Sequence, residues 1–203
     1  MLEFIQTFIF LFAVIDPLGS IPVFLEATNK FDDKTKKSIA LKAVFFAALI
    51  LIFFIAVGQI IMDNMEISLS AFQISGGIIL FLFSLTMIFG DGKPENEKKM
   101  INDQQNVTIF PIAIPSIASP AAIMGVVILT DNNVYSITDQ IFTTLNVLMV
   151  LFVTYIFLLA ARKIQNRIGA SGILVISKIM GMILASFAIQ SILSGIKEYF
   201  KIQ

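Results

Sequence analysis

The sequence contains no cysteine, no histidine and no tryptophan, and only 14% of its 203 residues are charged. Without cysteine there is no disulfide or thiol nucleophile, and without histidine there is no histidine metal ligand or serine-histidine-aspartate triad. The net charge is zero, so no basic surface indicates nucleic-acid binding. No glycine-rich Gly-Lys-Ser/Thr loop for nucleotide phosphates is present. These absences predict a chain that is not an enzyme and that holds no metal and no cofactor.

Hydrophobic residues make up 57% of the chain, and the mean hydropathy is +0.90. A helix needs about 20 apolar residues to cross about 30 Å of hydrocarbon. Six stretches reach that length, and they predict an all-α integral membrane protein with six transmembrane helices in one domain. The stretches are 4–25, 39–62, 69–90, 107–130, 139–161 and 173–196.

The connections between these stretches differ in charge. Basic residues are concentrated in the first, third and fifth connections, whereas the second and fourth contain none and carry Asp63, Glu66 and Asp131 instead. Short basic loops remain in the cytoplasm. The pattern therefore predicts a protein of the cytoplasmic membrane with both termini outside. The basic residues are Lys30, Lys34, Lys36, Lys37, Lys42, Lys93, Lys98, Lys99, Arg162, Lys163 and Arg167.

A polar connection, 91–106, divides the chain into halves of three spans each, 1–90 and 107–203. Because three is odd, two repeated halves must lie in opposite orientations in the membrane, as in many secondary transporters. Weak symmetry supports the repeat, since Gln73-Ile74-Ser75-Gly76 has a counterpart 105 positions later in Lys178-Ile179-Met180-Gly181. The sequence thus predicts two inverted three-helix repeats joined by a cytoplasmic linker.

The first span contains Asp16-Pro17-Leu18-Gly19-Ser20-Ile21-Pro22 near its middle. An ionised carboxylate at that depth costs several kcal/mol unless it is paired or wetted. Pro22 should interrupt the helix, and Asp16-Pro17 has the pattern of a cap followed by the first residue of a new half-helix. Asp16 could serve only as that cap. Even then a site should lie nearby, because broken backbone is tolerated only in protein or beside a wet cavity.

The fourth span has a similar interruption, Pro115-Ser116-Ile117-Ala118-Ser119-Pro120. Matching Ser119-Pro120 to Asp16-Pro17 gives an offset of 103 positions, and matching the proline pairs gives 98, so two registers remain open. Broken spans at corresponding positions of two halves indicate a transporter site. Half-helix N-termini attract an anion and freed carbonyls attract a cation, which together suit a zwitterion.

Two groups of residues follow as candidates. We expect substrate contacts near the breaks, and packing or gating roles where the third and sixth spans carry small or polar residues. The predicted substrate-binding residues are Asp16, Pro17, Gly19, Ser20, Pro22, Pro115, Ser116, Ser119, Pro120 and Ala121. The predicted packing or gating residues are Gln73, Ser75, Gly76, Gly77, Lys178 and Gly181.

These motifs, together with Phe110-Pro111-Ile112-Ala113-Ile114-Pro115, resemble the MarC family of membrane proteins over essentially the whole chain. The resemblance implies six spans in two inverted halves and transport of small neutral amino acids such as alanine and glycine. The chain departs from the family in having Ser119-Pro120-Ala121-Ala122 where members usually have Gly-Pro-Gly-Ala, and Gln73 where a basic residue is usual. An added methyl group narrows a backbone-lined pocket.

The leading hypothesis is a secondary transporter of a small neutral amino acid, coupled to a proton or sodium gradient, in a lipid membrane. An exporter of amino acids or related metabolites would use the same site in the opposite direction. An intramembrane enzyme has less support, because Asp16 is the one acid deep in a span. A passive pore would more commonly present rings of like groups. The sequence leaves open whether the protein forms a homo-oligomer.

Overall fold

The computed structural model describes residues 2–90 and 107–201, and every regular element within those ranges is helical. The predicted linker, 91–106, lies outside the described residues. The helices are α1 (Leu2–Ile15), α2 (Ser20–Thr28), α3 (Asp33–Asn64), α4 (Leu69–Phe89), α5 (Thr108–Ile117), α6 (Pro120–Ile128), α7 (Ile137–Leu159) and α8 (Ala161–Tyr199).

Four helices, α3, α4, α7 and α8, are each long and apolar enough to cross a membrane. The remaining four form two bent pairs. α1 and α2 meet at a bend of 40°, and α5 and α6 meet at a bend of 51°. Counting each pair as one span gives six, with the first and fourth spans broken where the sequence predicts.

The first break lies within the predicted stretch 16–22, but α2 begins three residues later than the expected first helical residue, Pro17. α1 ends at Ile15, Asp16 has a left-handed φ of 47°, and α2 begins at Ser20. Aspartate adopts this backbone region more readily than most residues. No helix runs through the whole of the predicted stretch, and Pro22 lies in the first turn of α2, where its missing N–H would have no partner within the helix.

The fourth span is distorted before its break. α5 is π-helical, and its two residues with extended backbone, Phe110 and Ile114, each precede a proline. The peptide bonds from these two residues to Pro111 and Pro115 are both cis. Ser119 is also extended, and Pro120 begins α6 as its first helical residue, a position that suits proline.

The last helix, α8, is longer than the predicted span and is interrupted at Gly169, with φ 76° and ψ 163°. Those angles belong to a backbone region that is essentially restricted to glycine. The chain therefore changes direction between the basic segment 161–168 and the apolar remainder of α8.

The most extensive helix contact joins α4 to α8. Glycines permit it: a Cβ at Gly77 would lie 2.9 Å from the Ala188 carbonyl oxygen, and a Cβ at Gly195 would lie 2.8 Å from that of Ser70. Such close backbone approach is typical of helix pairs in membranes. α1 and α2 pack among α5, α6, α7 and α8, so the two breaks lie within the bundle.

Candidate binding site at the two broken spans

Asp16 lies at the first break and is only 2% exposed. Its Oδ1 accepts a hydrogen bond from the Gly19 backbone N–H at 3.0 Å, which is the local capping bond. The same oxygen accepts a second bond from the Ser177 hydroxyl of α8 at 3.3 Å. The carboxylate thus connects the first span to the sixth, in addition to its role as a cap.

Gly19, which precedes α2, and Ser20, which begins it, are fitted closely to Asp16. A Cβ at Gly19 would lie 1.9 Å from Asp16 Oδ2, so only glycine leaves room for the carboxylate in this position. The Ser20 hydroxyl donates to the Asp16 carbonyl oxygen at 3.1 Å, and so does the Ser20 backbone N–H. The side chains of Asp16 and Ser20 are both buried.

The start of α6 repeats this geometry with a neutral side chain. Ser119 Oγ accepts from the Ala122 N–H at 3.1 Å, and the Ser119 carbonyl accepts from the Ile123 N–H at 3.0 Å. The equivalent donors after Asp16 are Gly19 and Ser20, each 103 positions earlier. The hydrogen bonds therefore match the register of 103 positions and not the register of 98.

The two breaks contact each other. Ser116, from the end of α5, donates its hydroxyl to Ser20 Oγ at 3.3 Å, and both residues are buried. At the level of helices, α2 packs against α5 and α1 packs against α6. The site is thus formed by the first and fourth spans, with Ser177 contributed by the sixth.

The predicted site residues differ in burial. Most are buried, Pro22 and Pro115 are half-buried, and Pro120 is exposed on the outside of the bundle. The position of Pro120 is consistent with a role in starting α6 and places its ring away from the other site residues. The buried members are Asp16, Pro17, Gly19, Ser20, Ser116, Ser119 and Ala121.

The caps also determine which backbone donors remain at each half-helix start. The Gly19 N–H, a predicted anion donor, is bonded to Asp16, and the Ala122 N–H is bonded to Ser119. A helix N-terminus has several N–H groups without partners in the helix. The donors not used by the caps are those that follow each proline, at Leu18 and Ala121. Leu18 was not among the predicted residues.

The predicted packing or gating residues lie apart from the breaks. Gly76 faces Met124 of α6, while Gly77 faces Ala188 of α8, and Gly181 lies against the backbone of α4 at Ser84. Gln73 accepts a bond from the Ser191 hydroxyl at its carbonyl oxygen. These four contacts are packing contacts. Ser75 is exposed and Lys178 is half-buried.

Besides Leu18, sequence reasoning missed two buried polar residues, Ser177 and Asp131. Ser177 carries a weak signal, since it directly precedes the Lys178 motif. Asp131 follows α6 and is 1% exposed, although the sequence places it in the connection after the fourth span. Its Oδ1 accepts from the Asn133 N–H at 2.7 Å, and its Oδ2 has no partner within the described residues. The pKa of nearby Tyr135 is raised, mainly by burial and to a smaller extent by the negative charges of Glu3, Asp131 and Asp139.

Two cavities lie on either side of the breaks. The basic cavity, of about 760 Å³, is lined by the middle of α2, the start of α3, the end of α7 and the start of α8. The neutral cavity, of about 350 Å³, is lined by the second half of α3, the loop after α6 and the start of α7. Its polar residues are Gln59, Thr130, Asn132, Gln140 and Thr144. Within the described residues, no group of three or more acidic side chains is placed to hold a metal ion.

This fold, with buried polar groups where two broken apolar spans meet, defines a multi-spanning integral membrane protein. The sequence profile of the MarC family integral membrane proteins matches residues 1–200. The chain therefore belongs to the MarC family.

Curated relatives match along nearly their full lengths. A UPF0056 membrane protein of Methanocaldococcus jannaschii is 34% identical, with 96% of each chain covered. A UPF0056 membrane protein of Pyrococcus horikoshii is 33% identical, with 100% of each chain covered. One of Aquifex aeolicus is 28% identical, over 98% of this chain and 94% of the relative. No solved structure matches.

Proposed function

We propose that this protein is a secondary-active transporter of small neutral amino acids, such as alanine or glycine, coupled to a proton or sodium gradient. The observation that carries the proposal is the pair of half-helix starts, capped in the same register and in contact through Ser20 and Ser116. One of the two caps is a buried carboxylate. Buried acids within apolar spans mark substrate and ion pathways.

The helix contacts support an arrangement of two inverted halves. If α1, α2, α3 and α4 correspond to α5, α6, α7 and α8, several contacts occur in related pairs. α1 packs on α7 as α5 packs on α3, and α1 packs on α6 as α5 packs on α2. α4 packs on α6 as α8 packs on α2. Rocking of such halves about a central site is a general means of alternating access.

The two cavities support the same interpretation. Phe24 and Leu25 of α2 line the basic cavity, and Thr130, just after α6, lines the neutral cavity. Each half-helix thus extends from the breaks towards one cavity.

The chemistry at the breaks suits a zwitterion. The Leu18 N–H lies in the turn that leads into α2, and the Ala121 N–H lies in the first turn of α6. Aligned peptide dipoles favour a carboxylate at such positions. The Asp16 carboxylate and the carbonyls at 114–117 offer acceptors for an ammonium group. The small residue Ala121 favours a short side chain, in keeping with the substrates that the family resemblance implies.

Uptake of labelled alanine and glycine into proteoliposomes tests the proposal. With an imposed proton or sodium gradient, we expect accumulation that collapses when an ionophore removes the gradient. Unlabelled small neutral amino acids should compete, and lysine and phenylalanine should not. Reversing the gradient distinguishes uptake from export. A folded, reconstituted protein that moves no amino acid in either direction under any of these gradients would contradict the proposal.

The orientation can be tested in the same preparation, because the chain lacks cysteine. We expect Asn133→Cys to react from outside the cell with an impermeant thiol reagent, and Asn166→Cys to react only after permeabilisation. Both positions are exposed. Labelling of position 166 from outside would overturn the topology that the basic loops predict.

A further inference from the structure

The basic cavity combines charged groups from both halves of the chain. Lys36 and Lys37 come from the start of α3, and Arg162, Lys163 and Arg167 come from the start of α8. These two stretches are far apart in the sequence, and the fold brings them to one opening. Their convergence is not a consequence of loop charge alone, since Lys30, Lys34 and Lys42 belong to the same basic region and do not line the cavity.

One acid, Asp33, also lines the cavity and does little to neutralise it. Its carboxylate lies 4.0 Å from Lys36 Nζ, and its side chain is 88% exposed. An ion pair so open to solvent contributes little. That pair is the one salt bridge found within residues 2–90 and 107–201. The lining therefore retains a strong excess of positive charge.

Part of the cavity's lining is apolar. Phe24 and Leu25 of α2 and Leu158 and Leu159 of α7 contribute to it. A freely soluble anion would gain nothing from contact with these apolar side chains. An amphipathic molecule would, because its charged part can contact the cations while its apolar part lies against these side chains.

We propose that the basic cavity binds the headgroup of an anionic membrane phospholipid. The shared chemistry is a phosphate, which arginine recognises with paired N–H donors. The lipid is favoured over a free phosphate by the apolar part of the lining and by the position of the cavity at the end of spanning helices. Basic pockets between spanning helices on the cytoplasmic side are typical of lipid headgroup sites. The bound lipid would join α3 of the first half to α8 of the second.

Native mass spectrometry from micelles containing equal phosphatidylglycerol and phosphatidylcholine tests this inference. The wild-type protein should retain phosphatidylglycerol in preference to phosphatidylcholine. In the variant Lys37→Gln/Arg162→Gln/Arg167→Gln, the preference for phosphatidylglycerol over phosphatidylcholine should fall about 100-fold. This figure follows from about fivefold in affinity for each of three basic residues near the membrane surface. The matched control, Lys30→Gln/Lys34→Gln/Lys42→Gln, removes three charges from the same region outside the cavity and should keep the preference.

Other outcomes would overturn the inference. Equal loss in the two triple variants would indicate unspecific attraction to a basic surface. Equal retention of the two lipids by the wild type would show that there is no anionic lipid site. Thermal stabilisation by glycerol 3-phosphate as large as that by phosphatidylglycerol would assign the cavity to a soluble anion. If the cavity triple variant does not fold, Arg167→Gln alone, at an exposed position, should lower the preference about fivefold.

Discussion

The turn that leads from Asp16 into α2 and the start of α6 are capped in the same way by different side chains. In each, the cap residue accepts an N–H bond from three positions later, at 3.0 Å for Asp16 and 3.1 Å for Ser119. In each, a proline follows the cap. The differences are that Asp16 carries a charge, has a left-handed backbone and has a partner in α8, whereas Ser119 is neutral and extended.

The comparison shows that capping does not require a carboxylate here. Serine and aspartate are about equally good helix caps, and Ser119 makes the same bond within the same protein. An acid within an apolar span is costly unless it is compensated. The cap therefore does not by itself account for Asp16, and this is the reason for assigning its charge to substrate or ion binding.

The largest effect on stability is expected at Gly19. In Gly19→Ala the new Cβ would lie 1.9 Å from Asp16 Oδ2, so the carboxylate or the start of α2 must move. We expect a loss of about 1–3 kcal/mol, typical of overpacking at a buried position. Thermal unfolding followed by circular dichroism measures it.

A double variant tests the cause of that loss. Asp16→Ser/Gly19→Ala gives the first start the sequence pattern of the second, Ser-Pro-x-Ala, and removes the atom that clashes. Its stability should exceed that of Gly19→Ala. If the double variant loses at least the sum of the two single losses, the crowding between Asp16 and position 19 is not the cause.

A smaller effect is expected at the other cap. Ser119→Ala removes the bond to the Ala122 N–H and should cost about 1 kcal/mol, the usual value of a helix cap. Ser75→Ala is a matched control, because Ser75 is exposed and its hydroxyl donates to the Phe72 carbonyl of its own helix. Unfolding temperatures that fall equally for the two variants would show that the Ser119 cap does not stabilise the protein more than an exposed serine does.

The smallest effect is expected at the far ends of the half-helices. Thr28 and Thr130 are buried, and each donates its hydroxyl to the carbonyl four residues earlier at 2.7 Å. The Phe24 carbonyl lies within α2 and the Val126 carbonyl lies in the last turn of α6. Thr28→Val and Thr130→Val each remove one neutral hydrogen bond and should each cost about 0.5–1 kcal/mol. The two losses should agree within about 0.5 kcal/mol. A large difference between them would break the equivalence of α2 and α6.

Local chemistry made the breaks predictable. Asp16-Pro17 and Ser119-Pro120 are cap signals within apolar spans, and the structure has an interruption at each. The exact start of α2 was not predictable in the same way, because a proline in the first turn of a helix and a proline that ends one look alike in sequence.

Contacts between distant parts of the chain were harder to predict from the sequence. Nothing local to Ser177 indicates that it meets Asp16, which is 161 positions away. The burial of Asp131 and the convergence of Lys37 with Arg162 depend likewise on how whole helices pack. Hydrophobic patterning gives the spans, whereas tertiary packing decides which polar groups share a site.

The most direct test of the central claim is transport by Asp16→Asn measured beside Ser119→Ala. Asparagine retains the size and the capping ability of aspartate but removes its charge. We predict that Asp16→Asn abolishes gradient-driven amino acid uptake in proteoliposomes while the protein still purifies folded and monodisperse. Ser119→Ala should retain part of the uptake, because a neutral hydrogen bond is worth about half of a charged one. Uptake by Asp16→Asn at the wild-type rate would show that Asp16 is only a cap and would contradict the account.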